Sequence, residues 1–193
     1  SAPGGKLTHI LERYPEIGSV LAVDSSDKRA ALIRENLGRL NLSADVRVAD
    51  AADPGSWWDG RPFDCVVLDA PCTGTGVIRR HPDIKHLRRP EDLTGLVARQ
   101  SSLLRSLWQT VAVEGHLLYV TCSIFPEEND YQIARFLANR DDLEARPIRA
   151  PAGRHSRFGL QTLPGVHNVD GFYYALMQKR RCKRPPHAAH KTD

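Results

Sequence analysis

The chain has 193 residues, of which 41% are hydrophobic and 26% charged, a composition typical of one globular domain with a substantial core. No apolar stretch approaches the roughly 18–20 residues of a membrane span, which argues against an integral membrane protein. The formal net charge of +4 excludes a strongly acidic chain and suits a polyanionic partner.

The positive charge is concentrated in two segments. Residues 79–89 contain five Lys or Arg against one Asp, and residues 179–184 contain five with no acid. Such clusters suit a nucleic acid, because each phosphate that they neutralise releases counterions. A solvated surface is the alternative explanation for the first segment, and a solvated tail for the second.

The first part of the chain alternates between helical and extended patterns. A helix is predicted over residues 7–14, a strand over 20–23, a helix over 27–40, a strand over 46–48 and a loop over 54–62. The apolar residues of the second helix recur at helical spacing, at Ala30, Ile33, Leu37 and Leu40.

The rest of the chain continues this alternation. The patterns predict a strand over residues 63–68, a basic loop over 71–90, a helix over 93–111, a turn at 114–115, a strand over 117–120, a helix over 126–139 and a strand over 171–178. Residues 63–68 read FDCVVL, an apolar run typical of a parallel strand covered on both faces, so Cys65 is predicted to pack in the core. One domain over residues 1–178 and a basic tail over residues 179–193 are expected.

The four cysteines, Cys65, Cys72, Cys122 and Cys182, lie far apart in the sequence. No CxxC or CxxH spacing occurs, which argues against a zinc site, and four cysteines are too few for a disulfide scaffold of this size. The pattern predicts free thiols in a reducing, cytoplasmic compartment. Cys182 lies in the tail and is given no role.

Strands that alternate with helices predict an α/β fold with a doubly wound, mostly parallel sheet. In such folds ligands bind at the carboxyl ends of the strands. Five residues with chemically useful side chains follow the predicted strands, namely Asp24, Asp50, Asp69, Cys72 and Cys122. We expect these residues to line one crevice.

The segment APGGKLT at residues 2–8 is a glycine-rich turn that opens the first helix. Glycines let the backbone approach a ligand closely, and the start of a helix favours negative charge. Neither GxxxxGK[ST] nor GxGxxG is present, so a simple tight turn is the alternative. Asp24 suits a ribose diol and Asp50 an adenine amino group, although either acid could instead cap a helix or a turn. The three features together favour an adenosyl ligand.

The motifs DAPC (residues 69–72) and TCS (residues 121–123) supply one carboxyl group and two thiols to the same predicted edge. A thiolate is a strong nucleophile, and a basic neighbourhood lowers its pKa. A carboxyl group beside it can hydrogen-bond the edge of an amide-like ring or relay a proton. The alternative is that both cysteines are small buried apolar residues at strand ends.

Five motifs together resemble one enzyme family. They are SAPGGK (1–6), AVD (22–24), DAPCTGTG (69–76), GVIRRHPDIK (76–85) and TCSIFPEEN (121–129). The combination resembles the RNA cytosine-5 methyltransferases that use S-adenosylmethionine, and GVIRRHPDIK favours their Sun/Fmu subgroup, the RsmB-type enzymes of 16S rRNA. The resemblance extends to DGFYYALMQK (170–179) and implies a Rossmann-like class I methyltransferase fold.

This resemblance assigns chemical roles to three residues. Cys122 would add to C6 of cytosine, so that C5 can take the activated methyl group, and the base would have to be single-stranded or flipped into the pocket. Asp69 would hold the N3/N4 edge of the base and assist protonation at N3. Cys72 would act in the release of the product.

The resemblance also implies a site for S-adenosyl-L-methionine. Its methionine end would lie at the first turn, formed by Ser1, Ala2, Pro3, Gly4, Gly5 and Lys6. Asp24 would bind the ribose and Asp50 the adenine, and Asp69 would lie close to both ligands.

Charge, rather than the resemblance, selects the residues expected to contact phosphates of 16S rRNA. They are Arg79, Arg80, Lys85, Arg88 and Arg89. We expect a monomer with no metal and no membrane partner.

Members of this family carry a strand before the glycine turn, whereas this chain begins within that motif. We therefore expect the C-terminal portion of a longer protein with a helical RNA-binding domain upstream. The strand is central in the sheet of this fold, and its loss would leave backbone groups unpaired. Residues 1–193 alone are expected to bind the cofactor weakly or not at all.

Three other functions are compatible with the same residues. One is an RNA-binding module without activity, and another is a related enzyme that modifies tRNA. The third is a cysteine-dependent hydrolase, against which no histidine takes an evident triad position, since His81 and His86 fall in the basic loop.

Overall fold

The computed structural model describes residues 1, 3–138 and 140–181. It divides into two compact units, Ser1–Arg61 and a second unit that begins at Pro62. No helix in the described ranges is long and apolar enough to cross a membrane. Each unit is described below by itself.

The first unit is a small α/β arrangement. Its elements are α1 (Gly5–Arg13), β1 (Leu21–Asp24), α2 (Asp27–Arg39) and β2 (Asp45–Val48), followed by a 3-10 turn at Pro54–Ser56. The two strands pair in parallel. The apolar spacing of the helices serves one buried cluster, which contains Leu7, Leu11, Ala22, Ile33 and Leu37.

The turn before α1 requires its glycine. Gly4 has φ 101°, a left-handed conformation that side chains rarely adopt. A Cβ atom added to it would lie 3.6 Å from the Cα of Ile33 on α2, an ordinary van der Waals distance. The backbone angle, rather than the space beside α2, therefore requires glycine here.

The second unit contains the larger sheet. Its elements are β3 (Phe63–Asp69), α3 (Ile84–Leu87), α4 (Pro90–Thr110), β4 (Val111–Thr121), α5 (Asp130–Leu137), β5 (Leu143–Arg146), β6 (Arg154–His155), β7 (Leu160–Gln161) and β8 (Tyr173–Lys179), with 3-10 turns at Thr75–Val77 and Val166–Asn168. The strand order is β3-β4-β8-β7-β6, and β5 also pairs with β8.

The sheet of the second unit combines two pairing directions. β3 and β4 are parallel, whereas β8 runs antiparallel to β4, β5 and β7, and β6 and β7 form an antiparallel hairpin. Parallel β1–β2 and β3–β4 pairs joined through helices confirm the predicted α/β class.

Large side chains of β4, α4 and α5 fill the core of this unit. Leu117 and Tyr119 on β4 are fully buried, and so is Ile133 on α5. Trp108 on α4 meets Phe136 on α5 edge-to-face, with ring centroids 5.7 Å apart. Burial of each such side chain contributes roughly 1.5–3 kcal/mol, which fixes β4 and its following loop in place.

The predicted loop over residues 71–90 is more ordered than expected. It contains the 3-10 turn at Thr75–Val77 and the short helix α3, and α4 begins at Pro90 rather than at residue 93. Pro90 fits the first helical position, where no backbone N–H is needed. The Asp92 carboxylate accepts the Arg89 N–H at 3.0 Å and so caps this start.

The prediction that Cys65 packs in the core is wrong, because its side chain is exposed. β3 lies at the edge of its sheet, and Val67 is also 39% exposed. A continuous apolar run predicts a strand well, but it does not report whether both faces are covered.

Two further boundaries differ from the sequence prediction. Glu114, at the predicted turn, lies within β4 with φ 66°, in a strand whose register with β3 shifts between Phe63 and Cys65. Lys179, the predicted first residue of the tail, belongs to β8 and donates to the carbonyls of Trp108 and Val111. Cys182 and the rest of the predicted tail from residue 182 lie outside the described residues.

Candidate active site

The loops that follow β3 and β4 leave the sheet at the same edge. The strands are parallel neighbours with Asp69 opposite Val120, and the Ala70 N–H donates to the Val120 carbonyl at 2.9 Å. This arrangement brings together Cys72 and Cys122, which are 50 residues apart in sequence. Their sulfur atoms lie 3.3 Å apart, and the Cys122 N–H donates to the Cys72 sulfur at 3.3 Å.

The two thiols are not equivalent. The side-chain hydrogen bond to Cys122, followed by burial, raises the pKa of Cys72 far above its ordinary value of 9.0. Hydrogen bonds from the backbone N–H groups of Cys122 and Gly74 oppose part of this shift. Either thiol can donate to the other across the sulfur–sulfur contact.

A pair of glycines fixes the backbone of the Cys72 loop. The Gly76 N–H donates to the Cys122 carbonyl at 2.9 Å, and the Gly171 N–H donates to the Gly76 carbonyl at 2.8 Å. A Cβ atom on Gly76 would lie 1.9 Å from the Gly171 carbonyl oxygen, which no structure tolerates. The loop after β3, the loop after β4 and the segment before β8 thus meet at one point.

The buried carboxylate of Glu128 connects the loop that carries Cys72 with the loop that carries Cys122. Glu128 is 0% exposed. Its Oε1 accepts the Thr73 N–H at 3.0 Å and the Gln100 Nε2 at 2.9 Å, and its Oε2 accepts the Thr73 hydroxyl at 2.6 Å. Gln100, on α4, also donates to the Pro71 carbonyl at 2.9 Å. These donors replace the water that a carboxyl group loses when it is buried.

Three hydroxyl groups lie between the same loops. The Thr73 and Thr75 hydroxyls each lie 3.2 Å from the Ser123 hydroxyl, and the Ile124 N–H donates to Thr75 at 3.1 Å. Thr73 and Ser123 are buried. These short polar contacts hold the residues that follow Cys72 and Cys122 in register.

The loop after β4 is also held from the side of β7. The Asn129 Nδ2 donates to the Ser123 carbonyl at 2.9 Å and to the Gln161 Oε1 at 2.8 Å. Gln161 donates in turn to the Ser123 carbonyl at 3.3 Å, and the Thr121 hydroxyl donates to the Asn129 Oδ1 at 2.6 Å.

Asp69 is the exposed last residue of β3, three positions before Cys72. Burial and the nearby Asp69 charge together raise the pKa of Tyr174. The candidate base-binding carboxyl group therefore lies at the strand end, where solvent and a ligand can reach it.

The first unit contains the predicted cofactor residues. Asp24, at the end of β1, has a side chain that is 4% exposed. Its Oδ1 accepts the Ser26 N–H and the Arg29 Nε, both at 3.0 Å, and its Oδ2 lies 3.1 Å from the terminal ammonium of Ser1.

The remaining predicted cofactor residues of this unit lie on its surface turns. Asp50 is exposed, and its Oδ1 accepts the Ala52 N–H at 2.8 Å. Gly4 is buried at the start of α1, where Gly5 and Lys6 form the first exposed turn, and the Pro3 carbonyl accepts the Asn36 side chain at 3.0 Å. Ala2 lies outside the described residues.

The comparison with known families decides which protein class this site belongs to. Residues 1–178 match the family model described as 16S rRNA methyltransferase RsmB/F. The chain belongs to the RsmB/F family. The predicted resemblance to RsmB-type enzymes is confirmed.

Two curated relatives of this RsmB/F chain carry the name ribosomal RNA small subunit methyltransferase B. The relative from Vibrio cholerae is 48% identical over 180 residues, which cover 93% of this chain and 40% of the relative. The relative from Yersinia enterocolitica is 48% identical over 180 residues, covering 93% of this chain and 41% of the relative. The chain thus spans about 40% of the length of these relatives.

Solved structures from Pyrococcus horikoshii share the fold of this RsmB/F chain. NSun6 with the ligand SFG is 25% identical with a TM-score of 0.84, over 94% of this chain and 46% of that one. A methyltransferase homologue is 28% identical with a TM-score of 0.78, over 92% of this chain and 59% of that one.

The predicted RNA-binding arginines of the RsmB/F chain are largely held by other groups. Arg79 and Arg80 form ion pairs with Asp170 at 3.6 and 2.6 Å. Arg88 donates to the Thr73 carbonyl at 3.0 Å and to the Cys72 carbonyl at 3.4 Å. These arginines therefore stabilise the loop that carries Cys72.

Lys85 and Arg89 complete the predicted set, and both are exposed. Within the described part of the chain, the Lys85 ammonium forms no ion pair. No group of three or more His, Cys, Asp or Glu that could hold a metal occurs among the described residues.

Sequence reasoning missed the residues that support the cysteines, above all Glu128, Asn129 and Gln161. The signal for the first two was present, because TCSIFPEEN places two acids and an amide directly after Cys122. Gln161 offered no local signal, since its contacts to Ser123 span 38 residues.

Proposed function

We propose that this chain carries the catalytic residues of an S-adenosylmethionine-dependent enzyme that methylates C5 of a cytosine in 16S rRNA. The observation that carries the proposal is the pair of cysteine sulfur atoms 3.3 Å apart at one sheet edge. Membership of the RsmB/F family and the printed names of the relatives support the substrate.

The residues of the first unit fit an adenosyl cofactor in kind. The left-handed turn at Gly4 leaves the start of α1 accessible to an anionic group. The carboxylates of Asp24 and Asp50 accept hydrogen bonds from ribose hydroxyls and an adenine amino group.

Cys122 acts as the nucleophile in this mechanism. Its thiolate forms a bond to C6 of cytosine, the C5–C6 electrons move toward N3, and Asp69 passes a proton from solvent to N3. C5 thereby becomes nucleophilic. The cofactor supplies the electrophilic methyl group that C5 takes, and N3 returns its proton to Asp69. A water molecule or hydroxide then removes the C5 proton, which restores the C5–C6 double bond and releases the Cys122 sulfur from C6.

Cys72 assists the last step through its retained proton. Its S–H group donates to the Cys122 sulfur, which leaves C6 as a thiolate. A hydrogen bond to an ionised acceptor contributes about 1.5–3 kcal/mol, which corresponds to roughly 10- to 100-fold in rate. The same hydrogen bond that makes Cys72 a poor nucleophile makes Cys122 a better leaving group.

Methyl transfer tests the proposal directly. The chain, with and without the upstream segment that the sequence leads us to expect, is incubated with 16S rRNA and millimolar methyl-labelled cofactor. The modified atom is identified by nuclease digestion and mass spectrometry. We expect label at C5 of cytosine, and RNA that contains 5-fluorocytosine should trap a covalent complex because fluorine cannot leave as a cation. Label at another base or atom, or no transfer by the chain that carries the upstream segment, would overturn the proposal.

A further inference from the structure

The hairpin formed by β6 and β7 carries exposed basic side chains. Residues 154–161 read RHSRFGLQ, and Arg154, His155 and Arg157 are exposed. Within the described part of the chain, neither guanidinium group of this hairpin forms an ion pair. This distinguishes the hairpin from Arg79 and Arg80, which share the carboxylate of Asp170 in two ion pairs.

The tip of the hairpin is held in a defined conformation. The Asp130 carboxylate accepts the Ser156 hydroxyl at 2.9 Å and the backbone N–H groups of Arg157 and Phe158, each at 3.2 Å. The Tyr173 hydroxyl also donates to Asp130, at 2.8 Å. Asp130 is thus engaged by the backbone and by hydroxyls rather than by arginine side chains.

One guanidinium of the tip is oriented by an aromatic ring. The Arg157 guanidinium carbon lies 4.9 Å from the centre of the Phe158 ring, an arrangement that orients an arginine without neutralising it. The charge of Arg157 remains available to a partner.

The base of the hairpin is connected to the loop that carries Cys122. Arg154 lies directly opposite Gln161 in the antiparallel pair, so their side chains share one face with Cβ atoms about 4.5–5.5 Å apart. Gln161 donates to the Ser123 carbonyl at 3.3 Å, and Ser123 follows Cys122. Arg154 therefore lies beside Gln161, whose side chain contacts the loop that carries Cys122.

We propose that the β6–β7 hairpin binds the RNA strand that carries the target cytosine, with Arg154 and Arg157 on phosphates beside it. A strand whose base reaches Cys122 must run past this loop, and two guanidinium groups without an ion pair among the described residues suit its phosphates. The inference rests on the proposed function, because it takes RNA as the ligand of the neighbouring thiols.

Salt-dependent RNA binding tests the hairpin. The affinity of the chain for a fluorescent single-stranded fragment of 16S rRNA is measured between about 50 and 300 mM KCl, for wild type, Arg154→Ala, Arg157→Ala and Arg105→Ala. Each phosphate contact that is lost should lower the slope of log affinity against log salt by about 0.7. Arg105 is a charge-matched control, since it is exposed on α4 and its guanidinium bonds Ser101.

Steady-state kinetics distinguish weaker RNA binding from a general loss of active protein. Arg154→Ala and Arg157→Ala should raise KM for RNA several-fold and leave kcat near that of wild type, because a phosphate contact is present in both the ground and transition states. Arg154→Lys should recover most of the salt slope. Unchanged slopes, or slopes that fall equally in Arg105→Ala, overturn the inference.

The two proposals fail in different ways. If the wild type that carries the upstream segment transfers no methyl group to RNA, the proposed function fails. If the wild type methylates RNA while both hairpin variants behave as Arg105→Ala does, the hairpin inference alone fails.

Discussion

The two cysteines differ in their hydrogen bonds and in burial. The side-chain hydrogen bond to Cys122 and burial raise the pKa of Cys72, and the Cys122 N–H donates to the Cys72 sulfur. In the proposed mechanism Cys72 is the donor and Cys122 carries the negative charge. Sequence alone gives both residues the same place after a strand, so it cannot assign these different roles without the family resemblance.

Removal of each thiol should therefore give opposite results. Cys122→Ala should lower turnover by about 10³-fold or more and form no covalent RNA complex, since the nucleophile is gone. Cys72→Ala should still attack, but release should slow about 10- to 100-fold, so that a covalent complex accumulates on denaturing gels. Cys72→Ser, which keeps a donor, is the matched control and should release faster than Cys72→Ala. Equal effects of the two alanine variants would contradict the assignment.

The contact between Gly76 and Gly171 predicts a severe residue-level effect. In Gly76→Ala the new Cβ would meet the Gly171 carbonyl at 1.9 Å, so the backbone must move. We expect a loss of at least about 3 kcal/mol in the free energy of unfolding, measured with urea, together with loss of methyl transfer.

Gly95→Ala provides the control for this change. Gly95 lies in α4 with nothing within 4 Å of an added Cβ, so alanine should stabilise the helix by up to about 1 kcal/mol. The interpretation fails if both variants shift the unfolding midpoint in the same direction.

At the scale of elements, Glu128 connects α4 with the loops after β3 and β4. Its two carboxylate oxygens accept from Thr73 and Gln100 in a fully buried site. In Glu128→Gln one oxygen becomes an NH₂ group that faces donors, so charge-assisted hydrogen bonds of about 1.5–3 kcal/mol each are lost. Urea unfolding should show a loss of about 2–4 kcal/mol, and methyl transfer should fall with it.

Glu127→Gln is the same chemical change at the neighbouring position. Glu127 is half-buried, and its carboxylate forms no ion pair within the described part of the chain. This variant should stay within about 0.5 kcal/mol of wild type. A similar loss of unfolding free energy in both variants would contradict a stabilising role for the hydrogen bonds of Glu128.

The amount of structure that the sequence predicts depends on how local each signal is. Helices α2 and α4 and strand β3 follow from apolar spacing, and Cys72 and Cys122 meet because their strands are parallel neighbours. β6 and β7 have two residues each and depend on Asp130, more than 20 positions away in sequence. Exposure of Cys65 is likewise a property of strand order, which no local pattern encodes.

At the scale of the second unit, buried neutral groups set the response to alkali. Burial raises the pKa values of Tyr119 and Tyr173 above the ordinary 10.0, and the hydrogen bond to Asp130 adds to the shift of Tyr173. The unfolded chain loses these protons first, as it does that of Cys72. Stability is therefore fully present below about pH 9 and falls as the pH rises beyond it.

Thermal unfolding between pH 7 and 11 measures this dependence. The midpoint should be level up to about pH 9 and then decline. Tyr173→Phe should flatten the decline, whereas Tyr131→Phe should not, because Tyr131 is 56% exposed. An unfolding midpoint that increases as the pH rises above about 9 would contradict this prediction, because the folded state would then lose protons before the unfolded state does.

The backbone contact between Gly76 and Gly171 also bears on attempts to move this chemistry into another scaffold. Gly171 lies 99 positions after Cys72 in the sequence, yet its N–H is bonded to the cysteine loop. A graft limited to the two cysteine motifs would leave the Gly76 carbonyl without its donor and the sulfur atoms without a fixed separation. An engineered host would have to supply the short Asp170–Gly171 passage as well, so even the paired thiols require at least three discontinuous pieces of chain.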